Sequence, residues 1–168
     1  MTAITTSRVE SIRPRWQAIV MVALIFWLSG SLIIDLLVMP SLYVSGMMVS
    51  PDFAAAGNLM FWGFNRVELI CSGLVATGLM VLSNSLGNFG KRSRTAILLS
   101  LVLLTIALID TYALTPQMSA LGMQLNLFDS AAELPAGMNL LHKGYFFLEA
   151  LKLLVGGTLL GWCCQNQV

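Results

Sequence analysis

Four stretches of this chain are apolar over about 20 residues or more, which is long enough for a helix to cross the hydrocarbon core of a bilayer. They run over about 16–39, 58–83, 95–115 and 138–164. Few folds are open to such a pattern, and composition narrows them further. Hydrophobic residues make up 57% of the chain and charged residues 10%, against about 25% charged in an ordinary soluble domain. The expected fold is all-α: an integral membrane four-helix bundle in one domain, 16–164, flanked by a cytoplasmic N-terminal tail (1–15) and a short C-terminus (165–168).

Local signals mark the ends of the spans. The first is expected to stop at Pro40 and the third at Pro116. The second is entered through Ser50-Pro51-Asp52, where serine can cap a helix and proline takes its first position. Residues 83–94, SNSLGNFGKRSR, read as a turn. In 116–137, Met118, Leu121 and Leu125 are spaced i, i+3, i+7, which predicts a short helix lying on the membrane surface. The run after Arg8, Arg13 and Arg15 continues to Met39. It outlasts a signal-peptide core of roughly 7–15 residues and reads as a retained span.

Orientation follows from the basic residues. Arg8, Arg13 and Arg15 precede the first span, and Lys91, Arg92 and Arg94 separate the second from the third. Residues 40–57 and 116–137 contain no Lys or Arg. The positive-inside rule then puts both termini in the cytoplasm, with the protein in the inner membrane.

Several function classes are disfavoured. A net charge of +1 and the lack of a basic patch interleaved with aromatics argue against nucleic-acid binding. Cys71 and the adjacent Cys163 and Cys164 form neither a disulfide framework nor a zinc spacing. No nucleophile elbow, P-loop, dinucleotide fingerprint or HExxH motif occurs, so nothing argues for an enzyme.

The chemistry lies in the charges within the spans: Asp35, Arg66, Glu68, Asp110, Lys143, Glu149 and Lys152, together with the lone histidine, His142. Ionisable groups at membrane depth are costly and usually face a partner or a polar cavity. His142, Tyr145, Glu149 and Lys152 are spaced i, i+3, i+7, i+10 and so share one face of the last span. Shifting the second span by 81 residues aligns Asn58 with Asn139, Gly63 with Gly144, Glu68 with Glu149 and Thr77 with Thr158, without a gap. This repeat predicts two similar helical hairpins in parallel orientation about a pseudo-twofold. Glu68 would then oppose Glu149, and Asp35 would oppose Asp110. Four carboxylates and three cations are expected to converge, either as an ion-pair network that fixes packing or around an outward-opening cavity for a proton, cation or polar head group. Gly157 and Gly161 form a GxxxG expected at a close helix contact.

Metal readings are alternatives to no cofactor at all. Met39, Met47, Met48, Met118, Met123 and Met138 belong to the outer loops or their edges, and thioether sulfur suits copper(I). His142, Met118 and Met123 are the candidate ligands. A haem could take His142 on one axial side only, and a second histidine would have to come from a dimer or another protein.

The pattern resembles a bacterial family of four-span membrane proteins without a settled activity, loosely similar to copper-resistance-type membrane proteins. The residues that carry the resemblance are Trp27-Leu28-Ser29-Gly30-Ser31, Val38-Met39-Pro40-Ser41-Leu42-Tyr43 and Ala56-Gly57-Asn58-Leu59-Met60-Phe61. Leu114-Thr115-Pro116-Gln117-Met118 and Leu141-His142 extend it. The chain departs from the family at Lys143-Gly144-Tyr145, where a small residue and a serine are expected. The resemblance implies architecture rather than mechanism. The expected partners are the lipid bilayer and either a second copy of the chain or a larger membrane complex, in which the protein would be an accessory or assembly subunit.

Overall fold

A computed structural model of the chain describes residues 2–45, 53–85, 91–128 and 137–165. Every described element is helical. Helix α1 (Thr2–Ile33) passes through a π-helical turn (Ile34–Val38) into α2 (Met39–Val44), and α3 spans Phe53–Ser85. Helix α4 (Lys91–Ile109) passes through a second π turn (Asp110–Leu114) into α5 (Thr115–Phe128), and α6 spans Met138–Cys164. Among the described residues, Arg15–Leu42, Ala55–Asn84, Arg92–Leu121 and Leu140–Cys164 are long and apolar enough to cross a membrane. A helix satisfies its own backbone polar groups, which lipid cannot do.

Pro40 and Pro116 do not end their helices, contrary to the sequence expectation. A proline lacks the N–H and its ring crowds the carbonyl four residues earlier. In both places the preceding turn widens, so that the Met39 N–H donates to the Ile34 carbonyl and the Thr115 N–H to the Asp110 carbonyl. Each proline then takes the second position of a new α segment, where its missing donor is tolerated. The short helix expected in 116–137 is α5, a continuation of the third span rather than a separate surface helix. It packs on α3 and α6, with Ser119 Oγ donating to Asn58 Oδ1 at 2.8 Å. The expected tail before residue 16 is helical from Thr2. Ser50-Pro51-Asp52, Met47, Met48 and the centre of the 83–94 turn lie outside the described residues, as do the side chains of Arg8, Arg13, Met123, Leu125, Met138 and Asn139.

The long helices form a ring in which α1 packs on α3, α3 on α4, α4 on α6 and α6 on α1; α1 lies diagonal to α4, and α3 to α6. Gln17 Nε2 donates to the Cys163 carbonyl at 2.7 Å, while Tyr145 meets Asp35 at the other end, so α1 and α6 are antiparallel. Around the start of α1 and the end of α6 the interior is dry, built from Val20, Leu24, Val75, Leu79, Leu103 and Leu159. Two glycines permit close approach here. A Cβ on Gly78 would run into Val20, and one on Gly156 would come within 2.8 Å of Leu28 Cδ2. Gly157 and Gly161 have open space instead. The rotation of α6 turns Gly156 toward α1, so the expected GxxxG is not the contact. Outside the ring, Val22, Phe26, Leu36, Leu37, Ile70, Phe147 and Leu154 are exposed, an apolar surface larger than water-soluble monomers usually leave open.

Candidate functional site

Toward the opposite end, the interior of the ring becomes polar. Its centre is Lys152 on α6, only 1% exposed. The ammonium is ion-paired with Glu68 of α3 and lies 2.5 Å from Glu149 Oε2. Glu149 precedes Lys152 by three residues, which puts both on one helix face. The contact with Glu149 is close without being aligned as a hydrogen bond, since neither Glu149 oxygen takes an aligned donor. Glu68 Oε1 also accepts from Trp27 Nε1 at 2.8 Å and from Ser31 Oγ at 3.3 Å. The ammonium stands 5.9 Å from the Trp27 ring centroid, within cation–π range. One carboxylate thus gathers donors from α1 and α6 onto α3, which matches the rule that buried charges need pairing and hydrogen bonding together.

Both aspartates of the spans sit in the π turns. Asp35 Oδ1 accepts from the Tyr145 hydroxyl at 2.7 Å, and Tyr145 lies one turn before Glu149. The side chains of Glu149 and Asp35 also meet, with Asp35 Oδ2 and Glu149 Oε1 both buried and without a donor. Asp110 is 2% exposed, and its Oδ1 likewise takes no donor. Asn65 of α3 supports that turn by donating through Nδ2 to the Asp110 carbonyl at 3.3 Å and to Thr115 Oγ1 at 2.7 Å. A π turn carries an extra residue per turn and often marks a functional position.

Four of the candidate residues therefore form a connected chain, Tyr145–Asp35–Glu149–Lys152, which Lys152 extends to Glu68. The three cations expected to converge do not. Arg66 and Lys143 are exposed, and the Arg66 guanidinium is held 3.9 Å above the Trp62 ring. Lys152 is the one buried lysine or arginine among the described residues. Helix rotation explains the difference: Arg66 is two positions from Glu68, so when Glu68 faces the centre Arg66 faces away. Among the described residues, Glu68, Asp110, Glu149 and Lys152 are packed at 1–4% exposure and line no open cavity. Asp35, Tyr145 and His142 are half-buried and form the more accessible side. Met118 is half-buried on α5. Among the described residues no three His, Cys, Asp or Glu side chains are grouped to hold a metal ion.

Sequence reasoning missed Trp27, Ser31, Asn65 and Thr115 as members of the site. The signal was available for two of them, since Trp27, Ser31 and Asp35 are spaced i, i+4, i+8 and form one stripe on α1. Asn65 and Thr115 act through a π turn that the sequence did not announce. No known protein family, curated protein or solved structure matches the chain.

Proposed function

We propose that this is a multi-pass protein of the inner membrane, with both termini cytoplasmic, whose buried carboxylate–lysine cluster binds a proton or a small cation. One observation carries the reading: Glu68 and Glu149 share a single buried ammonium, while Asp35 joins Glu149 in the same network and Asp110 adds a further buried carboxyl. An ionised carboxylate in an apolar interior is costly unless paired. Lys152 offsets one negative charge, and the remainder calls for protons or a bound cation. The half-buried side formed by Asp35, Tyr145 and His142 is the natural approach. The proposed pair of similar hairpins is supported by the packing, in which α3 and α6 lie on one diagonal and α1 and α4 on the other. Each of α1 and α4 carries a π turn with an aspartate before a proline. Copper or haem handling through His142, Met118 and Met123 is the alternative reading; the Met123 side chain lies outside the described residues.

A second reading has its own support. Glu68 takes donors from Trp27, Ser31 and Lys152, an arrangement that would also serve to lock three helices together in a structural accessory subunit. Reconstitution separates the two. Proteoliposomes holding the wild-type protein and a dye selective for the proton, sodium or potassium, each challenged with a gradient of that ion, are expected to take up one of these ions faster than empty vesicles. Glu68→Gln and Glu149→Gln should lower that uptake while circular dichroism and size exclusion report an intact fold. Wild-type vesicles that behave like empty ones toward all three ions would leave only the structural role.

A further inference from the structure

We infer that the ion held in this cluster is a single proton, shared between the carboxyls of Asp35 and Glu149. This rests on the reading of the cluster as an ion site and names its occupant. The two side chains meet across the α1–α6 interface. Asp35 Oδ2 and Glu149 Oε1 are buried with no donor, and Glu149 is 4% exposed. Two ionised carboxylates offer acceptors only and repel each other, whereas a protonated carboxyl donates its O–H to the other. One proton added to either residue supplies the missing donor and removes one negative charge, and no bond has to break.

The neighbours fit that assignment. On the Asp35 side, the Tyr145 hydroxyl already occupies Oδ1, which leaves Oδ2 as the free acceptor. On the Glu149 side, Lys152 sits at Oε2, so the chain's own ammonium fills the position a free cation would take. Glu68 of α3 shares that ammonium, and Asp110 of the second π turn adds a further buried carboxyl rather than a cation. Hard metal cations gather about six or more oxygen ligands, and two carboxyls with a tyrosine already committed do not amount to such a shell.

Infrared spectroscopy of the purified protein in neutral buffer tests this directly. A protonated-carboxyl C=O band that shifts on transfer to D2O is expected in the wild type. The same band should vanish in Asp35→Asn and in Glu149→Gln and persist in Glu68→Gln and Asp110→Asn. The side-chain amide that either of the first two substitutions introduces can donate where the proton did, so the contact survives in both variants. No such band in the wild type, or a band indifferent to both substitutions, would overturn the shared proton. If replacing choline chloride with sodium or lithium chloride removes the wild-type band, the occupant is a cation; the proton assignment then fails while the ion-site reading stands. A missing band together with no ion uptake in vesicles brings down both. The wild-type measurements hold even if a variant fails to fold.

Discussion

The two ends of the helical ring are stabilised by different physics. At the end that holds the start of α1 and the end of α6, Val20, Leu24, Val75, Leu79 and Leu159 interdigitate, and Gly78 and Gly156 let the helices close up. At the other end, Trp27, Ser31, Asp35, Glu68, Tyr145, Glu149 and Lys152 are held by charge and hydrogen bonds. In the bilayer proposed for this protein, lipid is as apolar as leucine, so shape complementarity must carry the association of the first end. The second end depends on how its charges are balanced. A dry contact tolerates gradual change in volume, whereas a charge network fails when one member is removed and its partner is stranded.

That contrast can be broken from either side. The largest effect is expected from Lys152→Met, which leaves Glu68 and Glu149 buried without their ammonium; breaking a buried ion pair in this way costs about 3–5 kcal/mol. It should appear as a large loss of thermal stability or of monodisperse protein in detergent. Leu79→Ala, in the dry end, opens a cavity and is expected to cost about 2–5 kcal/mol, read by the same melting assay with the vesicle ion uptake unchanged. Trp27→Phe keeps an aromatic side chain, though a smaller one, and removes one donor from Glu68. Loss of a hydrogen bond to a charged group costs about 1.5–3 kcal/mol, and adding Glu68→Gln should recover part of it. Gly156→Ala, pressed against Leu28, should cost about 1 kcal/mol through overpacking. Gly157→Ala, in open space, should fall within about 0.5 kcal/mol of wild type. If Gly157 proved the more sensitive of the two, the rotation of α6 described here would be wrong.

How much of this could be read in the sequence also differs between the two ends. Four long apolar runs fixed the all-helical architecture because span length is a property of the chain alone. The shared face of Tyr145, Glu149 and Lys152 was legible from helical spacing. What spacing within one helix cannot supply is the rotation of that helix against its neighbours. That rotation sends Arg66 and Lys143 outward and turns an expected balance of four acids and three bases into an excess of acid. The same rotation selects Gly156 over the GxxxG of Gly157 and Gly161. The π turns were hidden for another reason. Proline is ordinarily a stop signal, and only the widened turn before Pro40 and Pro116 lets the helices continue, with Asp35 and Asp110 in those turns and Asp35 within reach of Tyr145.

The most direct test of the central claim, that the carboxylates carry ions and do not merely lock the helices, uses the triple variant Glu68→Gln, Glu149→Gln and Lys152→Met. It removes every member of the Lys152 ion-pair network at once and strands no charge there, so it should fold about as stably as the wild type. Its ion uptake in proteoliposomes is predicted to fall to that of empty vesicles while the wild type remains active. A folded triple variant with wild-type uptake would contradict the account.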